Sequence, residues 1–242
     1  MWLKLTNKYS PNFGLPKRSK KKIKFIIIHY TGMKKETSAI KKLCNPSSKV
    51  SSHYFIKKNG NILRLVPDLY EAWHSGKSSW KNLTSLNRYS IGIEIQNSGH
   101  NNSYENFSSI QIKCLKKLLK KLVQTYRINK QNILGHSDIA PQRKKDPGEK
   151  FPWKELSKIK LAKWHNLKSG KVKKSRLIKL SINQENEFLR NLFRIGYSRL
   201  KLTSIKNEKV NLIKAFQRRF RQSLINGKSD QECLLISKNL LK

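Results

Sequence analysis

The chain has 242 residues, enough for one sizeable domain with a small appendage. A hydrophobic fraction of 37% with five Trp and nine Phe argues against disorder, and three widely spaced cysteines with no C-x-x-C pair argue against a disulfide framework and cysteine-ligated zinc. The 53 Lys and Arg against 14 Asp and Glu give a formal net charge of +39, which would attract polyanions; the lysines are nevertheless spread over the whole length, as an AT-rich genome would place them.

Residues 1–22 read as an extended basic entry segment. They lack the continuous apolar stretch and small-residue cleavage site of a signal peptide, so the chain as written is expected in the cytoplasm. No apolar run approaches the roughly 18 residues of a membrane helix, and no transmembrane segment is expected. "IKFIIIHY" (23–30) is a β-branched apolar run, read as a buried central strand ending at His29. Residues 35–44 suit a short helix. In "SSHYFIKKNGNILRLVP" two strands flank Lys58-Asn59-Gly60-Asn61, where Asn-Gly signals a hairpin. "YSIGIEIQN" (89–97) alternates Ile91, Ile93 and Ile95 with Gly92, Glu94 and Gln96, a strand with one face in the core and the other presenting Glu94.

A helix of about 18 residues is expected from Ser109. Its apolar stripe is Ile112, Leu115, Leu118, Leu119, Leu122 and Val123, and Ser108 with Gln111 fits a capping box. "NILGH" is a further short strand, leading into the aperiodic, turn-rich stretch "GHSDIAPQRKKDPGEKFPW" (135–153). Strands with intervening helices give an α/β class, a mixed central sheet flanked by helices, over residues 23–165. Residues 166–183 are polar and basic and read as a linker, followed over 184–242 by three helical patterns at roughly 184–195, 208–221 and 229–241, a small C-terminal three-helix domain.

His29, Glu94, His136 and Asp146 are the residues that stand out chemically. Two imidazoles and one carboxylate make a three-ligand set that leaves a fourth tetrahedral position for water, as catalytic zinc requires. The spacing is not that of a helical H-E-x-x-H site. On the residues alone, His29 reads equally as a satisfied strand-end histidine, Glu94 as a solvated carboxylate and Lys144, within "RKK", as part of a solvated charge run.

Five blocks in order, "FIIIHYTG", "VSSHYFIKKNGNILRLVPD", "AWHSGKSSW", "SIGIEIQN" and "GHSDIAPQRKKDPGEKFPW", resemble those of the type 2 N-acetylmuramoyl-L-alanine amidases, over about residues 9–157. That superfamily includes bacterial cell-wall recycling amidases, phage lysozyme-type amidases and peptidoglycan recognition proteins. The tail from "FLRNLFRIGYS" looks like the helical peptidoglycan-binding module attached to one bacterial branch. The resemblance implies an amidase/peptidoglycan-recognition-like fold, with His29, His136 and Asp146 as ligands of Zn²⁺, Glu94 as the base and Lys144 as the stabiliser of the oxyanion. The bond cut would be the amide between the lactyl group of N-acetylmuramic acid and L-Ala of the stem peptide. His53, Trp73 and His74 are expected to line the cleft and meet substrate, and Asp138 to hold a turn. Arg218, Arg219 and Arg221 would either meet stem-peptide carboxylates or form a solvated helix face.

Peptidoglycan or soluble muropeptides are the expected partners, with no specific nucleic acid, and a monomer is expected. The alternatives are a catalytically silent peptidoglycan-binding protein and, further off, a basic nucleic-acid-binding protein. A wall-binding module would point to the envelope rather than the cytoplasm, against the missing export signal.

Overall fold

The computed structural model describes residues 5–199 and 205–242. Strands β1 (Leu5–Asn7), β2 (Phe25–Tyr30), β3 (Tyr54–Ile56), β4 (Ile62–Arg64), β5 (Ser90–Ile95) and β6 (Ile133–Gly135) form one sheet in the order β1-β4-β3-β5-β2-β6. The β3–β4 pair is the antiparallel Asn-Gly hairpin, and every other neighbouring pair is parallel. Gly60 closes that hairpin at φ +83°, and a Cβ there would lie 2.7 Å from Ile110. Both the left-handed backbone and the close approach favour glycine.

The longer helices are α1 (Glu36–Cys44), α2 (Ser109–Tyr126), α3 (Ile182–Ile195), α4 (Ile205–Phe220) and α5 (Gln231–Leu240). The expected capping box is present on α2, with the Ser108 side chain accepting from the Gln111 N–H. The stripe Leu115, Leu118, Leu119 and Leu122 packs on Ile91, Ile93 and Ile95 of β5 and on Ile26 and Ile28 of β2. The other face of β2 carries Phe25 and Ile27 into a second core, with Phe188 and Leu192 of α3 and Leu212, Ile213 and Phe216 of α4. An uninterrupted apolar run in β2 is therefore what a strand covered on both faces requires.

This packing means that the C-terminal helices are a layer of the sheet domain as well as a bundle among themselves. Residues 166–183 contain a short helix, Ser169–Lys173, and Arg176 is paired to Glu232 at 2.5 and 2.9 Å. The entry segment is likewise built in: β1 is an edge strand on β4, and Arg18 is buried, donating to the carbonyls of Asp68, Asn87 and Ser90.

Arg219 of α4 is the firmest tie between the layers. Its guanidinium lies 3.3 Å from the Trp153 ring centroid, donates to the Ile133 carbonyl at 3.0 Å, and faces Asp138 Oδ2 at 3.4 Å. Burial pushes the Asp138 carboxyl up and the Arg219 guanidinium down, so each charge is tolerated because of the other. Tyr197 donates to Asp138 Oδ1 at 2.8 Å, and Asp138 Oδ2 accepts from the Gly135 N–H at 2.7 Å. Arg219→Met is expected to destabilise the fold by about 3–5 kcal/mol, because it strands a buried carboxylate. Urea unfolding of Arg219→Met, Asp138→Asn and the double variant measures this, with the double variant expected to lose less than the sum.

Candidate metal and catalytic centre

The site lies at the carboxyl ends of the parallel strands β2, β5 and β6, where an open α/β sheet leaves a crevice. β2 and β5 pair in register with His29 opposite Glu94, so the two side chains stand side by side on one face. His136 follows β6 directly. Its short helical turn, His136–Ile139, is held by the Asp138 bond to Gly135. The loop then returns, with the Ser137 N–H donating to the Asp146 carbonyl at 2.9 Å, and this places the Asp146 side chain beside His136.

Three side-chain atoms converge there. His29 Nδ1 lies 2.9 Å from His136 Nδ1 and 3.0 Å from Asp146 Oδ2, and His136 Nδ1 lies 3.1 Å from the same oxygen. All three residues are buried and form a potential metal-holding group. His136 Nε2 donates to the Ser75 carbonyl at 3.1 Å, an acceptor only, so in the neutral ring Nδ1 presents a lone pair. Burial, and next the neighbouring His136, push the His29 imidazole down to about 4, so it is neutral at pH 7. Burial works against the Asp146 charge, but His136 and His29 outweigh it and hold the carboxyl well below the usual range.

A neutral His29 imidazole beside an ionised carboxylate suits a metal, whose donor atoms must be free of protons. Donors about 2.0–2.1 Å from a tetrahedral ion stand roughly 3.3 Å apart, close to the spacing observed, so the donor set fits zinc.

Glu94 and Lys144 complete the group in a cleft of about 540 Å³. Glu94 Oε2 is sealed from solvent without a hydrogen-bond partner. Burial, then the charge of Asp146, push this carboxyl up to about 8. Lys144 is half-buried in the cleft wall, near enough for its charge to oppose that shift and to lower His29 further.

The structure separates the three expected cleft-lining residues. Trp73 is half-buried on the cleft wall, which Met33, Leu43 and Val50 also line. His53 does not line the cleft: it is fully buried, accepting from the Gly92 N–H at 2.9 Å and donating to the Tyr70 carbonyl at 3.1 Å. His74 reaches the cleft, but its ring nitrogens face His29 Nε2 at 3.0 Å and Ser90 Oγ at 3.2 Å, so it belongs to the scaffold under His29. Arg219 and Arg221 are neither a solvated face nor free for carboxylates, being buried in ion pairs with Asp138 and with Asp230.

Other supporting residues carry no local sequence signal. Arg143 donates to the carbonyls of Ser75 and Lys77 and ties the "AWHSG" loop to the ligand loop. His100 bonds Tyr30 at 2.8 Å and Glu149 at 3.1 Å and stacks on Tyr104. Tyr104 in turn donates to the Pro147 carbonyl at 2.6 Å, beside Asp146.

The profile of the N-acetylmuramoyl-L-alanine amidase family matches residues 19–149. N-acetylmuramoyl-L-alanine amidase AmiD of Escherichia coli is 36% identical over 234 residues, covering 91% of this chain and 83% of that protein. The 1,6-anhydro-N-acetylmuramyl-L-alanine amidase AmpD of Haemophilus influenzae is 37% identical over 114 residues, 46% of this chain and 60% of that protein. The structure of E. coli AmiD with anhydro-N-acetylmuramic acid-L-Ala-D-γ-Glu-L-Lys superposes with a TM-score of 0.79 at 35% identity, covering 91% of this chain and 89% of that one. Pseudomonas aeruginosa AmpDh3 superposes with a TM-score of 0.78 at 30% identity, covering 91% of each chain.

Proposed function

This chain belongs to the N-acetylmuramoyl-L-alanine amidase family, and on that premise we propose that it hydrolyses the amide between the lactyl group of (anhydro-)N-acetylmuramic acid and L-Ala of the stem peptide, with zinc held by His29, His136 and Asp146. The observation that carries the reading is the convergence of those three donors in the cleft that also holds the unpartnered carboxyl oxygen of Glu94.

When bound, zinc supplies a Lewis acid for the scissile carbonyl and lowers the pKa of a water towards about 7. Glu94 takes the proton of the attacking water and passes it to the leaving amine of L-Ala. The raised carboxyl favours the second half of that task, delivery of the proton, while the first half needs Glu94 ionised, as the charge of a bound Zn²⁺ would favour. Lys144, which lines the same cleft, would donate to the carbonyl oxygen as it gains charge. Trp73 offers an aromatic face to a sugar ring or to the peptide stem.

The solved E. coli relative holds an anhydro-muramyl tripeptide, and the same substrate class is proposed here. No helix among the described residues is long and apolar enough to cross a membrane. The reading is tested by incubating the purified chain with intact sacculi and, separately, with anhydro-muramyl tripeptide, and analysing the products by mass spectrometry. Free stem peptide is expected, lost on treatment with a zinc chelator and restored by added Zn²⁺. A zinc-loaded chain that binds peptidoglycan yet releases no peptide would instead be the catalytically silent binder.

A further inference from the structure

Ser90 Oγ lies 2.6 Å from the Leu86 carbonyl and 3.2 Å from His74 Nε2. A hydroxyl has one proton, and the shorter contact, to an atom that can only accept, holds it. Ser90 Oγ can then only accept from His74, so His74 carries its proton on Nε2. The other ring nitrogen of neutral His74, Nδ1, is an acceptor 3.0 Å from His29 Nε2. His29 must donate there, which leaves the lone pair on His29 Nδ1, the atom that faces His136 and Asp146. The relay starts at a backbone carbonyl, which cannot change its role, and it opposes the pull of Asp146 Oδ2, an acceptor 3.0 Å from His29 Nδ1 that would otherwise hold a proton there.

The arrangement is built into the sheet. Ser90 and Gly92 belong to β5, and a Cβ at Gly92 would lie 2.4 Å from the His74 ring, so glycine leaves the space that the imidazole fills. His29, His74 and Ser90 are all buried, and water has little access to replace a lost partner. His136 needs no such relay, because Ser75 offers it a carbonyl directly. His29 has only the side-chain path.

We propose that His74 and Ser90 are positioning residues that select the His29 tautomer able to bind the metal ion, a role that rests on the zinc site proposed above. Neither touches the reacting atoms. Their work is to keep a proton off His29 Nδ1, where it would block the ligand position.

The test uses the full chain and Zn²⁺ itself. In metal-free wild-type protein, ¹⁵N-histidine spectra are expected to show His29 protonated at Nε2 and bare at Nδ1. His74→Phe keeps a ring in the space but removes the acceptor, and chelator competition is expected to show zinc binding weakened by about 10–100-fold. His74→Asn, which returns an acceptor at the Nδ1 position, is expected to recover most of that loss, a rescue that a purely packing role would not produce. Ser90→Ala is expected to fall between.

Wild-type zinc affinity in His74→Phe, with zinc lost in His29→Ala, would overturn the relay alone. Stoichiometric zinc in His29→Ala would overturn the metal site beneath it. Should His74→Phe fail to fold, the wild-type spectra still decide, because a His29 protonated at Nδ1 contradicts the proposal.

Discussion

Glu94→Gln is expected to retain one zinc per chain while turnover of anhydro-muramyl tripeptide falls by on the order of 100-fold or more. The substitution keeps the shape and neutrality of a protonated carboxyl and removes only its capacity to accept a proton. His29, His136 and Asp146 do not depend on Glu94 for their placement, so metal content has no reason to change. Nor does folding, because Glu94 Oε2 makes no hydrogen bond that Gln would break. Steady-state kinetics beside metal analysis and thermal melting separates these effects. Wild-type turnover with zinc bound would transfer the base role to another group.

His136→Ala should have the larger consequence, the loss of both stoichiometric zinc and amidase activity. His136 contributes one of three donors, and two donors rarely retain a catalytic zinc against competing water. It also contributes to the placement of Asp146, whose Oδ2 lies 3.1 Å from His136 Nδ1. The backbone should survive, since the Ser75 carbonyl keeps its bond from Arg143 and the loop keeps Asp138, Tyr197 and Arg219. Metal analysis after dialysis, with circular dichroism as the control on folding, gives the result. A folded variant with full zinc would remove His136 from the ligand set.

Much of the scaffold was legible in the residues because it depends on short-range pattern. The run of three isoleucines in β2, the alternation through β5 and the leucine stripe of α2 each have the period of the element they form, and each is found where that period places it. The Asn-Gly turn and the Ser108–Gln111 cap are equally local. The ordered blocks around His29, Glu94, His136 and Asp146 were legible for a different reason: they resemble a family whose chemistry uses those residues.

His53 and His74 show where reading stopped. Both sit in short motifs that look alike on paper, yet one is sealed between Gly92 and Tyr70 and the other lies beneath His29. Arg218, Arg219 and Arg221 read equally as partners of stem-peptide carboxylates or as a solvated face, and only the packing of α4 on the sheet domain sets Arg219 against Trp153 and Asp138.

The sequence by itself determined the element types and the mixed α/β class, since these follow from periods of two and 3.6 residues, while its resemblance to a family singled out the candidate metal ligands. Only the tertiary structure decided that the C-terminal helices cover the second face of β2 and which partners the ring nitrogens of His29 and His136 meet. The physical reason is range. A tautomer is set by the partners that lone pairs and N–H groups meet, and those that meet at His29 come from 45, 107 and 117 residues away. No local pattern encodes such a meeting; it exists only once the sheet has brought His74, His136 and Asp146 to the end of β2.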